Sequence, residues 1–164
     1  MQVKQMLLLA VLQLSWASVQ PDANYKGIEP KEFVTLGNRR YYFSPIGIRN
    51  VISAAKSCND VGATLVALET EEENAAIFAY INDTLQTTST ERYWTSGVRM
   101  WDNWMWSANS QIFSYLNWHA GEPDIKDQVT QMCVLLYDGG MWDSDCDFSD
   151  YHFICEEKNC PVIT

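Results

Sequence analysis

Residues 121–146 read GEPDIKDQVTQMCVLLYDGGMWDSDC. Glu122 and Asp124 flank Pro123, Gln131 stands two places before Cys133, and Asp143 and Asp145 fall just ahead of Cys146. Side-chain oxygens therefore crowd around two cysteines in a stretch without helical spacing. Two readings compete. One is a solvated surface loop, which is how we read Asp127 and Asp138. The other is a set of ligands drawn around a hard cation: Ca²⁺ takes about six to eight oxygens from carboxylates, amides and backbone carbonyls.

Composition limits the setting in which such a loop works. At 164 residues and 47% hydrophobic, the chain is long enough for one packed domain and short for two. Aromatics make up 13%, with seven Trp and eight Tyr, which excludes disorder over most of the length. A formal charge of −10 leaves no electrostatic basis for holding a polyanion, so nucleic acid is not an expected partner. The N-terminus has a lone Lys4, an apolar run from Met6 to Leu14 and the small residues Ser15 and Ala17. This predicts a signal peptide over 1–17, cut after Ala17. The run is too short for a bilayer, which needs about 20 residues. A secreted, extracellular protein with no membrane span is the expectation.

Residues 18–32 are polar with two prolines and read as an N-terminal extension. Phe33–Leu36 and Arg40–Ser44, joined by Gly37-Asn38, predict a β-hairpin. Ile48, Val51, Ile52, Ala55, Cys58 and Val61 recur at helical spacing, and Gly62 closes that run. Thr64–Leu68 reads as a buried strand. Thr70 followed by Glu73 is a capping-box pattern opening a second helix, with Ala76, Ile77, Tyr80 and Ile81 as its stripe. Tyr93–Val98 and Tyr151–Cys155 read as strands. Between Asn103 and Gly140 helical periodicity disappears. Of the aromatics, Trp94, Trp104, Trp106 and Trp118 are expected to be core pillars under irregular loops rather than sugar platforms. Asn82-Asp83-Thr84 is a glycosylation sequon.

The five cysteines are Cys58, Cys133, Cys146, Cys155 and Cys160. Export through an oxidising compartment predicts two disulfides, with the pairing left open by arithmetic. Zinc is the rival, but there is no C-x-x-C, and the two histidines are His119 and His152. No G-x-S-x-G, H-E-x-x-H or G-K-[ST] motif occurs, and carboxylates two residues apart around a proline suit an ion better than a glycosidase pair. The chain is not read as an enzyme.

Taken in order, Tyr93-Trp94-Thr95-Ser96-Gly97-Val98, Leu116-Asn117-Trp118, Gly121-Glu122-Pro123-Asp124, Cys133-Val134, Met141-Trp142-Asp143 and Phe153-Ile154-Cys155-Glu156 resemble a C-type lectin domain over residues 33–157, with 158–164 as a tail. The form is similar to small secreted single-domain invertebrate lectins. The resemblance implies an α+β fold: two helices, two small antiparallel sheets and a long irregular loop region, stapled by disulfides Cys58–Cys155 and Cys133–Cys146. Cys160 would be left over, either linking two chains in a homo-oligomer or staying unpaired. The resemblance also implies a cis bond before Pro123. Glu122, Asp124, Gln131, Asp143 and Asp145 would hold Ca²⁺, and Glu122, Asp124, Gln131 and Asp143 would meet sugar hydroxyls. In that family E-P-N goes with mannose-type and Q-P-D with galactose-type sugars; E-P-D matches neither. Gln131 replaces a usual carboxylate, the Glu122–Cys133 stretch is one residue longer, and Trp142–Cys146 is one shorter. The implied function is Ca²⁺-dependent recognition of glycans, with microbial surface sugars and innate immunity as the setting. The alternative is a lectin-like domain with a degenerate calcium site, acting through protein contacts without sugar.

Overall fold

In a hairpin closed by glycine and asparagine the first turn residue takes positive φ, and Gly37 does so at +61°. The turn pairs β1 (Val34–Leu36) with β2 (Arg39–Phe43), placing Val34 opposite Tyr41. The computed structural model describes residues 28–29, 32–48, 50–86, 91–124, 131–147 and 150–158. The expected signal peptide, Asp127, Cys160 and most of the tail lie outside them.

Helix α1 (Val51–Asn59) is shorter than the spacing predicts. Asn50 caps it by accepting from the Ser53 N–H at 2.9 Å, so Ile48 lies outside the helix and bridges Tyr151 instead. The buried face is Val51, Ala54, Ser57 and Cys58, whereas Ile52 is 75% exposed. Cys58, bonded to Cys155, decides which side turns inward, and Ile52 lies well round the cylinder from it. The expected strand over 64–68 is confined to β3 (Ala63–Leu65); Val66, Ala67 and Leu68 continue as buried chain. In α2 (Glu71–Tyr80) the cap is half of the expected box. Thr70 accepts from the Glu73 N–H at 3.1 Å, while Glu73 reaches back to the N–H of Glu69, one residue beyond the cap. A single π-helical turn, Ile81–Leu85, follows and exposes Asn82.

The region without helical periodicity is not wholly irregular. It contains β5 (Asn103–Trp106), β6 (Gln111–Ile112) and β7 (Gln131–Tyr137), with β4 (Arg92–Met100) before them and β8 (Gly140–Asp145) after. Strand β9 (His152–Glu157) joins the sheets: antiparallel to β2 and β3, parallel to β4 through Tyr93–His152 and Trp94–Phe153. Trp94 and Trp106 are buried pillars, while Trp104 and Trp118 pack half-buried against the core. Stacking of Trp106 on Phe113 at 3.9 Å and an edge-on contact of Trp104 with Trp118 at 5.0 Å pin the loops. Both disulfides are present, Cys58–Cys155 and Cys133–Cys146. The first spans 97 residues and, in the chain-entropy account, stabilises by about 4–5 kcal/mol.

The Trp94-Thr95-Ser96-Gly97 sequence makes physical sense at the point where the β4–β7 register shifts. Two buried hydroxyls satisfy carbonyls there: Thr95 donates to Val134 O at 2.7 Å and Ser96 to Val66 O at 2.9 Å. A Cβ on Gly97 would lie 2.6 Å from the Val134 Cβ and 3.0 Å from Phe113. Gly97→Ala should therefore cost about 1–3 kcal/mol by overpacking, read as a lowered urea midpoint with an unchanged m-value.

Candidate functional site

The chain enters the site hung on β8. Met141 donates to Asn117 O at 2.6 Å and receives the His119 N–H on its own carbonyl at 2.8 Å, and the Asn117 amide holds Gly139 O at 2.7 Å. A turn then returns the Glu122 N–H to His119 O at 2.9 Å, with Gly121 at φ +94°. His119 itself packs its ring 5.0 Å from Trp142 and 6.0 Å from Tyr137, so its part is to anchor.

The Glu122–Pro123 bond is cis. The next N–H, that of Asp124, points at two carboxylates together: Glu122 Oε2 at 3.1 Å and Asp143 Oδ1 at 3.2 Å. Asp143 is buried on β8, 3% exposed, across from Val134. Two acidic groups in one half-dry place do not both ionise easily. The Glu122 carboxyl is pushed up to about 7, first by burial, then by its hydrogen bond to Asp143 and that residue's charge; the Asp124 N–H opposes the rise.

Gln131 opens β7 directly across from Asp145. The two ladder positions from Gln131 to Cys133 face only one step on β8, Asp145 to Ser144, so Met132 bulges out and is 38% exposed. The Gln131 Oε1 is buried and has no hydrogen-bond partner. It borders a cavity of about 220 Å³ lined by Arg99, Asp102, Trp104, Pro123, Asp124, Gln131 and Asp143. Glu122 stands beside this cavity through the Asp124 N–H. Asp145 is not in the lining; its carboxylate accepts from the Asp147 N–H at 3.0 Å. Among the described residues, no three His, Cys, Asp or Glu side chains are grouped as a ready metal cage.

The donor set at this place is all oxygen, which suits a hard cation over zinc or copper. The unpartnered Gln131 Oε1 and the paired Glu122 and Asp143 carboxylates are groups that such an ion would satisfy. Sequence reasoning missed the wall facing them. Arg99, Asp102 and Trp104 come from the β4–β5 hairpin, where nothing in the spacing marks a binding residue. Trp104, read as a core pillar, serves both core and cavity.

A carboxyl raised from 4.5 toward 7 stabilises the fold below its ordinary value and loses that contribution as pH rises through about 7. The metal-free protein should thus show a Tm that falls between about pH 5 and 7.5. Asp143→Asn, which removes the like charge, should flatten this slope in a thermal-melt series. An equal slope in both proteins would show that the pair is not the cause.

A profile of the Lectin C-type domain matches residues 49–157. The chain is 34% identical over 86 residues to the Perlucin-like protein of Mytilus galloprovincialis, covering 51% of this chain and 53% of that protein. It is 26% identical over 129 residues to the low affinity immunoglobulin epsilon Fc receptor of Mus musculus, covering 78% of this chain and 37% of the receptor. The chain thus spans about half the length, or less, of these curated relatives. Among solved structures, the carbohydrate-recognition domain of the mouse scavenger receptor C-type lectin superposes with a TM-score of 0.67 at 26% identity, covering 80% of this chain and 98% of that one.

Proposed function

The chain belongs to the C-type lectin domain family, and on that premise we propose that it recognises glycans through a calcium-dependent site beside Pro123. The observation that carries this reading is the Asp124 N–H gathering the Glu122 and Asp143 carboxylates, with the orphaned Gln131 Oε1 on the adjoining cavity. A scavenger receptor domain with this fold is described as a carbohydrate-recognition domain, which supports the sugar reading by likeness.

Glu122, Asp124, Gln131 and Asp143 would hold the ion, with Asp145 as a further acid at the end of β8. When bound, Ca²⁺ supplies coordination positions that two neighbouring sugar hydroxyls can take. The chain's own groups do the rest. Glu122, Asp124 and Asp143 accept hydrogen bonds from those hydroxyls. With its Oε1 given to such an ion, Gln131 would keep an NH₂ to donate, restoring a donor that the two acids of E-P-D lack. Trp104 and Pro123, which line the cavity, would shield part of the ring from water.

No helix among the described residues is long and apolar enough to cross a membrane. We take the chain to be secreted, non-enzymatic, and directed at surface glycans such as those of microbes. Single sites of this kind bind weakly, so useful avidity needs several copies, for which Cys160 offers a covalent link. One observation favours a second reading, a lectin-like domain working through protein contacts without the ion: the absence of three grouped acids among the described residues, with Asp145 turned to its own turn.

Calcium at about ten times its Kd should stabilise the protein by about 1.4 kcal/mol, seen as a raised Tm. Mannose- or galactose-agarose should retain it until EDTA is added. The double variant Glu122→Gln, Asp143→Asn should lose both effects. No titration heat at millimolar calcium, or retention that EDTA leaves untouched, overturns the ion-bridged reading in favour of the second.

A further inference from the structure

A tryptophan stands where the backbone least suits one. Strands β4 and β5 are joined by a two-residue turn, Trp101-Asp102, closed by the Met100–Asn103 pair. Trp101 has φ +54°, a conformation that turns of this size reserve for glycine, asparagine or aspartate. It is also 84% exposed, the most exposed of the large apolar side chains among the described residues. A bulky indole here is strained and stripped of packing, so folding does not account for its presence.

Its position suggests what does. Asp102, the next residue, lines the cavity of the candidate sugar site, as do Arg99 and Trp104 on the two strands. Trp101 is not in that lining, but consecutive Cα atoms lie about 3.8 Å apart, so its backbone is one residue away from it. We propose that Trp101 is the platform of a second sugar subsite: one ring of an oligosaccharide occupies the cavity and the next lies on the indole. This rests on the glycan-binding reading above.

The surroundings choose a sugar over other occupants. Along the chain Arg99, Asp102 and Asn103 make the tip polar around the indole, and Met100, 43% exposed, is the apolar residue among these chain neighbours. A protein interface core or a membrane-seated surface wants contiguous apolar area. The formal charge of −10 further disfavours an anionic bilayer. A pyranose instead has one face of C–H bonds and a hydroxylated rim. Its face suits an isolated indole, and its rim suits the carboxylate, guanidinium and amide beside it.

Because glycine relaxes at this φ, Trp101→Gly separates binding from folding. Titrations in calcium buffer would compare methyl α-mannoside and methyl β-galactoside with oligosaccharides of about three sugars ending in mannose or galactose. The native chain should bind the preferred oligosaccharide roughly 3- to 10-fold more tightly than its monosaccharide. Trp101→Gly should erase that preference, leave monosaccharide affinity unchanged, and keep or raise the Tm; Trp101→Phe should retain part of it. If the native chain binds neither sugar class, this proposal falls together with the glycan reading. If it binds both equally, or if Trp101→Gly keeps the oligosaccharide preference, only the second subsite falls. A change of sedimentation coefficient in Trp101→Gly without a change in oligosaccharide affinity would assign the indole to a second copy of the chain and likewise overturn the subsite.

Discussion

The rest of the molecule depends on the burial of β9 on both faces. Phe153, Ile154 and Cys155 are at most 1% exposed, and Glu156 is 8% exposed. This strand carries antiparallel ladders to β2 and β3 and a parallel one to β4, so the last folded segment of the chain ties the earliest hairpin to the central sheet. Parallel neighbours need a long return path, and here that path runs from Met100 to His152 and takes in β5 to β8. The disulfide from Cys58 fixes the same strand to α1. Once the frame is closed in this way, the intervening loops need little regular structure. Phe113, Trp104, Trp106 and Trp118 hold them by ring packing added to the short β4–β5–β6 ladders.

Two groups of acids show opposite solutions to one electrostatic problem. Beside β9, Glu69, Glu73 and Glu156 converge on Arg39 at 3.1, 3.2 and 2.6 Å, and Tyr41 adds a hydroxyl to Glu73. The chain supplies its own counter-charge there, and the result is a structural clamp. Beyond the cis proline, Glu122 and Asp143 share a single N–H, and burial, with Asp143 adding to it, raises the Glu122 carboxyl to about 7. Relief there comes from a proton or from an ion. On that difference rests the proposal that the second group, which adjoins a cavity, is the functional one.

Much of this was legible in the residues. The hairpin at Gly37-Asn38 and the second helix from Thr70 follow from local signals, because turn φ and capping act over a few residues. Where local counting failed, long-range contacts had won. Ile52 belongs to the helical repeat by spacing yet faces water, because the bond from Cys58 to Cys155 sets the rotation of α1. The strand expected over 64–68 stops at Leu65, where Val66 turns its carbonyl to Ser96 on β4.

By itself the sequence determined the inventory: which acids, which amide, which cysteines, and the proline that sets two side chains on either side of one bend. It could not say which acids meet. The bulge at Met132 keeps Gln131 opposite Asp145, β8 brings Asp143 to the Asp124 N–H, and Asp145 accepts from the Asp147 N–H. The opposing wall of Arg99, Asp102 and Trp104, with Trp101 at its tip, comes from a hairpin some twenty residues upstream. Those choices belong to the tertiary structure, because ladder register and strand pairing are settled by contacts between segments far apart in the chain, which no local pattern encodes.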